Sequence, residues 1–359
     1  MTGSNHRTET ETESDPKRHR QSTVVPTLED VARLAGVSRA TASRAIATPN
    51  KVRAKARAAV AEAVITLGYV RHGPASALAS RRTFLIGAIV PTLDNPIFAR
   101  CLDALQKTLD GAGFTLLLTT SGYSARQELA GIQTLLGRGV DGLILIGGSR
   151  SADIYALLDS KNVAYCVTWS WSPTNTGHVC VGFDNRLAAI NIVDYLYGLG
   201  HRRFGMIAGL TEDNDRATER LDGVRSSLAA HGLEPIVIER RYSVSEGHDG
   251  ARVLMDRPNP PTVLICGNDI LALGAMAGCA SLKLRIPQDV SITGFDDLDF
   301  ARCTTPPLTT IRVEADEIGR RSAERLIALI TGNGPQNSVQ LPVDLIVRGS
   351  TAPPPAGEK

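Results

Sequence analysis

The sequence predicts an α/β protein in which a small three-helix head precedes two lobes, each a doubly wound parallel sheet. Three observations carry this reading. Between Thr27 and Leu67, apolar residues recur at helical spacing in three short blocks punctuated by Gly and Ser. From Phe84 onward, short apolar runs alternate with amphipathic segments, and the alternation occurs in two successive sets of roughly 100 residues. The charge is also divided: residues 1–82 hold 14 Lys/Arg against 7 Asp/Glu, whereas the remaining 277 hold 25 against 30. A basic head on an acidic body fits a polyanion-binding module joined to something else, or simply a solvated surface.

Residues 1–26 are polar, alternating Thr with Glu before a basic cluster at Lys17–Arg20, and are expected to form a disordered tail. The start holds no apolar segment and no run reaches the length of a membrane span, so a cytoplasmic protein is expected, without a membrane partner. The six cysteines lack CxxC spacing and mostly sit in apolar surroundings, which points to reduced, buried thiols. No metal site and no cofactor are expected.

Thr27, with Asp30 three residues on, forms a relaxed capping pattern, and Leu28, Val31, Ala32 and Ala35 make the first apolar stripe. Gly36 stops that helix, Val37 is the apolar turn residue and Ser38 can cap a second helix from Arg39. Two short helices around a Gly-Val-Ser turn form a helix-turn-helix, although an ordinary helical hairpin is the plainer reading. The second helix exposes Arg39, Thr41, Ser43 and Arg44, side chains suited to phosphates and guanine edges. A third helix is predicted over 53–67, stopped by Gly68. The expected core is Val31, Leu34, Val37, Ile46, Val60, Val64 and Leu67, with Tyr69 packed on it. The head thus spans 27–72. Residues 73–83 have helix-forming composition but one large apolar side chain, Leu78. They read equally as a plain linker or as a helix that folds only against a partner.

In the body, strands are predicted at 84–90, 114–119, 142–146 and 164–167, with helices at 96–112, 124–138 and 151–160. After a strand at 179–183, the second set runs helix 185–199, strand 203–208, helix 216–231, strand 235–238, helix 245–256, strand 262–265, helix 268–282 and strand 289–293. A helix at 315–331 and a strand at 341–347 return to complete the lobes. The body is placed at 84–350, with an N-lobe of about 84–183 and 315–342 and a C-lobe of about 184–312 and 343–350, before a disordered tail, 351–359. Ligands in such sheets sit at the carboxyl ends of the strands, here between the lobes. Trp169 and Trp171 read equally as core or interface.

These features, in register, resemble the lac-repressor/purine-repressor (LacI/GalR) family of bacterial transcription regulators. TLEDVARLAGVS…SRAI is similar to its DNA-reading signature, GPASALASRRT to its hinge helix and VPTLDNPIF to the start of its sensor; VDGLIL, GFDN, LGHRR, GNDILALGA, DVSITGFDD, TPPLTTIRV and VRGST follow in family order. The resemblance implies a homodimer on a palindromic double-stranded DNA operator. It also implies a periplasmic-binding-protein-like core that senses a small molecule, with operator affinity under effector control and repression as the usual outcome. Ser38, Arg39, Ala40 and Arg44 align with recognition positions, Thr27, Ser38, Thr41 and Ser43 can donate to phosphates, and Leu78 aligns with the minor-groove wedge. Effector-binding positions fall on Asn95, Phe98, Trp169, Arg220, Tyr242, Asn268 and Asp296. Asp with Asn suits hydroxyls, Arg adds a fork of donors and aromatics cover a ring face, so a carbohydrate or sugar acid is expected first and a nucleobase second. Asn268, Asp269, Asp296 and Asp297 read also as turn and capping residues.

The chain departs from the family pattern at Arg53, where a capping Ser or Thr is usual, at Ala42 for a valine, at Trp169 for an acidic residue in some members and at Ala315 for a large one in several. The alternative function is a solute-binding protein of the periplasmic sugar-binding type. The basic helix-turn-helix argues against it, and no GxSxG, P-loop or HExxH spacing points to an enzyme.

Overall fold

The computed structural model describes residues 26–47, 49–70, 82–171 and 177–355, divided into two compact units between Ser80 and Arg81. Leu78 and most of the 73–83 segment lie outside the described residues, as do Arg81 and residues 1–25 and 356–359.

The head is built from helices Leu28–Leu34, Arg39–Ala47 and Ala54–Leu67. Thr27 and Asp30 form a reciprocal capping box, and Ser38 Oγ accepts from Thr41 N at 3.1 Å at the start of the second helix. The third helix begins without a side-chain cap at Arg53 and ends on Gly68 with φ 60°. The buried core is Val31, Ala32, Ala42, Ala45, Val60 and Ala63, with Val37, Ile46, Val64, Leu67 and Tyr69 packed at its margin. Leu34 corrects the expected core, since it is 53% exposed. With four alanines inside, the three helices approach closely and leave no room for a side chain one turn beyond Val31.

In the body, β1 (Leu85–Val90), β2 (Thr115–Thr120), β3 (Gly142–Ile146), β4 (Ala164–Thr168), β5 (Val179–Gly182) and β11 (Val339–Gln340) form a parallel sheet in the order β11-β5-β4-β3-β1-β2. Strands β6 (Phe204–Gly209), β7 (Ile236–Arg240), β8 (Val263–Cys266) and β9 (Ser291–Thr293) form a second parallel sheet ordered β7-β6-β8-β9. The central strands β3, β6 and β8 are buried throughout, as continuous apolar runs require. Strand β2 differs from expectation: it lies at the sheet edge with every residue exposed or half-buried, Leu118 being 41% exposed. The final predicted strand also resolves differently, into β11 and β12 (Asp344–Ile346), the latter antiparallel to β10 (Thr310–Arg312). Pro342 lies between the two and cannot donate to a ladder.

The lobes share one apolar cluster running from Val90, Ile97 and Phe98 through Trp169, Phe183 and Phe295 to Leu228, and Ala315 is buried in it. All six cysteines are free, five of them buried; Cys303 is exposed. The tail expected to be disordered from 351 is held in part. Thr351 Oγ1 lies 2.9 Å from Tyr195 Oη, Ala352 N donates to Ser291 Oγ, and His201 Nε2 is 2.9 Å from the Ala352 carbonyl. These polar side chains on buried strand and helix ends are what anchor it.

Candidate functional site

In the head, Ser38, Arg39, Ala40, Ser43 and Arg44 are exposed at the start and along one face of the second helix, and Thr41 is half-buried. Gly36 takes φ 64° and Val37 N donates to Ala32 O at 3.0 Å, which turns the second helix across the first. Some hydroxyls expected to meet phosphates already have partners. Thr27 Oγ1 donates to Asp30 Oδ2 at 2.7 Å, and Ser38 and Thr41 hydroxyls lie 2.9 Å apart. Ser43 and the two arginines carry the outward chemistry of this face.

In the body, the structure brings all seven expected effector residues to one place. Asn95, Phe98, Trp169, Arg220, Tyr242, Asn268 and Asp296 line a single cavity of about 30 Å³ between the lobes, together with Ile97, Tyr123, Asn214 and Arg216. Most stand just past the carboxyl end of a strand, while Phe98 and Arg220 reach in from the helices Pro96–Gly111 and Asp215–Ala230. Asn95 follows β1, Trp169 follows β4, Asn268 follows β8 and Asp296 follows β9.

Three wall residues are asparagines that cap helices. Asn95 Oδ1 accepts from Ile97 N at 3.1 Å, Asn268 Oδ1 from Leu271 N at 2.9 Å and Asn214 Oδ1 from Ala217 N at 3.4 Å. Capping engages each oxygen and fixes the side chain, so Asn268 has its NH₂ group left to donate, whereas the Asn95 amide also hydrogen-bonds the Asp296 carboxyl. Asn214 instead donates its NH₂ to Leu210 O. Capping and wall duties therefore coincide at Asn95 and Asn268.

Asp269 and Asp297 serve the scaffold. Asp269 accepts from Thr310 Oγ1 at 2.6 Å and from Leu298 N at 2.7 Å, pinning the loop after β9. Asp297 pairs with Arg312 and Arg348. Between these bolts, Asp296 takes φ 118° and is turned into the cavity. Burial pushes its carboxyl up to about 6, against the opposing pull of Arg220 and a hydrogen bond from Asn95.

Arg220 is a buried cation of this wall. Nε donates to Asn185 Oδ1 at 2.9 Å, Nη1 donates to Gly267 O at 2.7 Å, and the guanidinium lies 3.5 Å over the Phe295 ring. Asn185 in turn donates to Trp169 O at 2.9 Å, tying the arginine to the opposite wall. Trp169 adopts φ 71° and packs edge-on against Phe98, with ring centroids 5.3 Å apart. Gly209 makes room for Tyr242, since a Cβ there would collide with the phenol hydroxyl. Left-handed backbone at Tyr123, Trp169, Asp213, Asp296 and Asp297 gathers around this cleft, which is where strain of about 1–3 kcal/mol per residue is tolerated for function.

Sequence reasoning did not single out Tyr123, Asn214 and Arg216 as wall residues, nor Asn185 as the bridge. Asn214 alone carried a readable signal, an Asn immediately before a helix that follows a buried strand, the same pattern as Asn268.

The lobes are also joined by hydrogen bonds. Asp215 Oδ2 accepts from Gly148 N and from Ser170 Oγ, each at 2.6 Å, and Asp213 Oδ2 accepts from Ala125 N at 3.1 Å. Burial opposes ionisation of Asp215, but Arg216, Ser170 and the Gly148 N–H together hold its carboxyl below the ordinary range. One turn further, Glu219 is pushed up to about 7 by burial and then by the charges of Asp215 and Asp184, and its Oε2 is buried without a hydrogen-bond partner. The penalty for ionised Glu219 is absent below its unfolded pKa, grows from there to about pH 7 and is complete above it. Glu219→Gln is therefore expected to raise Tm at pH 8 and leave it unchanged at pH 4; an equal offset at both would contradict this origin.

Among the described residues, no group of three His, Cys, Asp or Glu could hold a metal ion, and no helix is long and apolar enough to cross a membrane.

Comparisons with known proteins agree with this anatomy. The family described as bacterial regulatory proteins, lacI family, matches residues 27–72, and a periplasmic binding protein-like domain matches 193–351. The HTH-type transcriptional repressor CytR of Escherichia coli (strain K12) is 32% identical over 329 residues, covering 90% of this chain and 96% of that protein. The crystal structure of the lac repressor dimer bound to operator and an anti-inducer superposes with TM-score 0.81 at 28% identity, over 91% of this chain and 99% of that one. A transcriptional regulator CelR–cellobiose complex superposes with TM-score 0.65 at 30% identity, over 90% and 99%. These relatives are regulators, not enzymes. With the head matched by the regulator family and nine-tenths of its length aligned to a named repressor, the chain belongs to the lacI family of bacterial transcriptional regulators.

Proposed function

We propose that this regulator is a cytoplasmic, homodimeric repressor that binds a palindromic operator and releases or grips it according to a carbohydrate effector held between its lobes. The observation that supports it most is the convergence of Asn95, Phe98, Trp169, Arg220, Tyr242, Asn268 and Asp296 on one cavity in a chain that also carries a helix-turn-helix. The wall offers amide and guanidinium donors, one carboxyl acceptor and aromatic faces, the complement of a ring bearing adjacent hydroxyls. The two wall guanidinia stand against Asp296 and the neighbouring Asp215, which balances the local charge and favours a neutral polyol over a sugar acid. A relative solved with cellobiose points the same way.

In this reading Arg39 and Arg44 fork onto guanine edges, Ala40 touches a thymine methyl and Ser43 meets phosphate, while residues 73–83 order on DNA with Leu78 as the wedge. Effector binding acts on lobes already joined at Asp215 and is coupled reciprocally to operator affinity. Arg44→Ala is the direct test. Each half-site loses about 1–3 kcal/mol of discrimination, and a dimer loses it twice, so specific binding falls by about 30-fold or more. Tryptophan fluorescence of the body should still respond to effector. Retained operator affinity in a gel-shift titration would remove Arg44 from the reading surface.

A further inference from the structure

The lobes meet with a cavity of only about 30 Å³ between them, and short polar contacts on its two sides join them. On one side, Asp215 at the start of the helix Asp215–Ala230 reaches across to Gly148 N and Ser170 Oγ, each 2.6 Å away. Arg216 Nη1 holds the other Asp215 oxygen at 2.8 Å. This approach depends on Gly147, at φ 77°, where a Cβ would collide with Arg216 and Asp215. On the other side, Asp213 meets Ala125 N at 3.1 Å, beside a mouth bordered by Leu93 and Leu210.

One turn along from Asp215, Glu219 faces the N-lobe across a space of about 740 Å³ that Gly148 and Ser170 also border. Its Oε2 is buried and has no hydrogen-bond partner among the described residues. Asp215, Arg216 and Arg220 share its helix, and Asp184 caps the helix Asn185–Gly198 nearby. From the N-lobe, Arg150, Tyr155, Asp159, His178 and Cys180 border the same space. The cations among these groups have partners of their own. Arg150 is engaged by Glu128 and the carbonyls of Gly147 and Ile146, Arg216 by Asp215, and Arg220 by Asn185 and Gly267. Burial holds His178 toward its neutral form, with Nδ1 2.7 Å from Tyr165 Oη.

We propose that this junction is a proton-operated latch: while Glu219 carries a proton the lobes rest together without effector, and its ionisation parts them. Burial, then Asp215 and Asp184, push the Glu219 carboxyl up to about 7 with the lobes together. Once they part, the N-lobe wall is gone, water reaches the carboxyl and its acidity returns toward the ordinary range. The closed form thus binds a proton that the open form releases. Opening is favoured as pH rises toward 7, and the gain is complete above it. Through Glu219 alone, the open-to-closed ratio rises about tenfold between pH 6 and pH 8. Asp296, in the neighbouring cavity and pushed up to about 6, adds about twofold over that interval.

Hydrogen exchange of the full-length, effector-free protein reads the latch directly, because the Gly148 amide donates to Asp215. After correction for the intrinsic pH dependence of exchange, Gly148 protection should fall about tenfold or more from pH 6 to pH 8, while the Leu145 amide inside β3 keeps its own. Glu219→Gln should reduce that fall to about twofold, the share left to Asp296. In a second measurement, Trp171→Phe leaves Trp169, 2% exposed, as the sole tryptophan, and acrylamide should quench it more strongly at pH 8 than at pH 6. Gly148 protection that is equal at the two pH values or higher at pH 8, or unchanged quenching of Trp169, overturns the latch. So does a tenfold fall that survives in Glu219→Gln, or one shared by Leu145, which would report unfolding rather than parting of the lobes.

Discussion

Arg220→Ala is expected to weaken effector binding by about 100-fold or more, with operator affinity of the effector-free protein unchanged. The guanidinium is buried and held by neutral acceptors, Asn185 Oδ1 and Gly267 O, with the Phe295 ring beneath it. Burial depresses its pKa, and nearby Asp296 offsets that only in part. A ligand oxygen that meets this group therefore gains a charge-assisted bond in a dry site, of the kind that contributes about 1.5–3 kcal/mol, and truncation also loosens Asn185 from Trp169. Arg220→Lys keeps the charge but loses the fork, so it should fall between wild type and alanine. Calorimetric titration is the check, and unchanged affinity in the alanine variant would exclude Arg220 from recognition.

The second large effect is on stability. Asp297 has a side chain only 2% exposed and is gripped by Arg312 and Arg348. Burial opposes its charge, but the hydrogen bonds from Arg348 and Arg312 hold the carboxyl below its usual range. Asp297→Ala leaves Arg348, 14% exposed, without its counter-charge, whereas Arg312, 41% exposed, can turn to solvent. One stranded cation rather than two sets the cost near the low end of the range for a broken buried pair, about 3 kcal/mol. That corresponds to a fall in Tm of roughly 10 °C. Because the same pair fixes the turn bearing Asp296, effector affinity should fall with it. A loss of stability within measurement error would mean that the ion pairs contribute little.

Much of this architecture was legible in the chain because its strands are apolar on both faces and its helices are capped by Ser, Asp or Asn. The capping pair at Thr27 and Asp30, the stop at Gly68 and the asparagine before the helix Asp269–Ser281 were all readable from residue type and position. What escaped depended on neighbours distant in sequence. Leu34 fits the apolar stripe of its helix, yet the alanines of the adjoining helices close the core before reaching it. Strand β2 is apolar enough to be central, but sheet order placed it at the edge. Tyr123 lies in a loop, Asn214 caps a helix and Arg216 lies in that helix's first turn, so only the meeting of the two lobes makes them part of one wall. Thr351 and Ala352 lead into a proline-rich stretch, and their anchoring depends on Tyr195, Ser291 and His201 more than fifty residues away.

The asparagines that border the cavity while holding helix starts constrain how this protein can be re-engineered. Exchanging Asn95, Asn214 or Asn268 to suit a new inducer would also fray the helix that each one begins, at about 1 kcal/mol apiece. Variation is cheaper at Leu93 and Leu210, which are 54% and 39% exposed, than at Trp169, whose burial in the shared apolar cluster makes truncation cost about 3–5 kcal/mol. Libraries seeking altered sensing should diversify those leucines first and hold the amides constant.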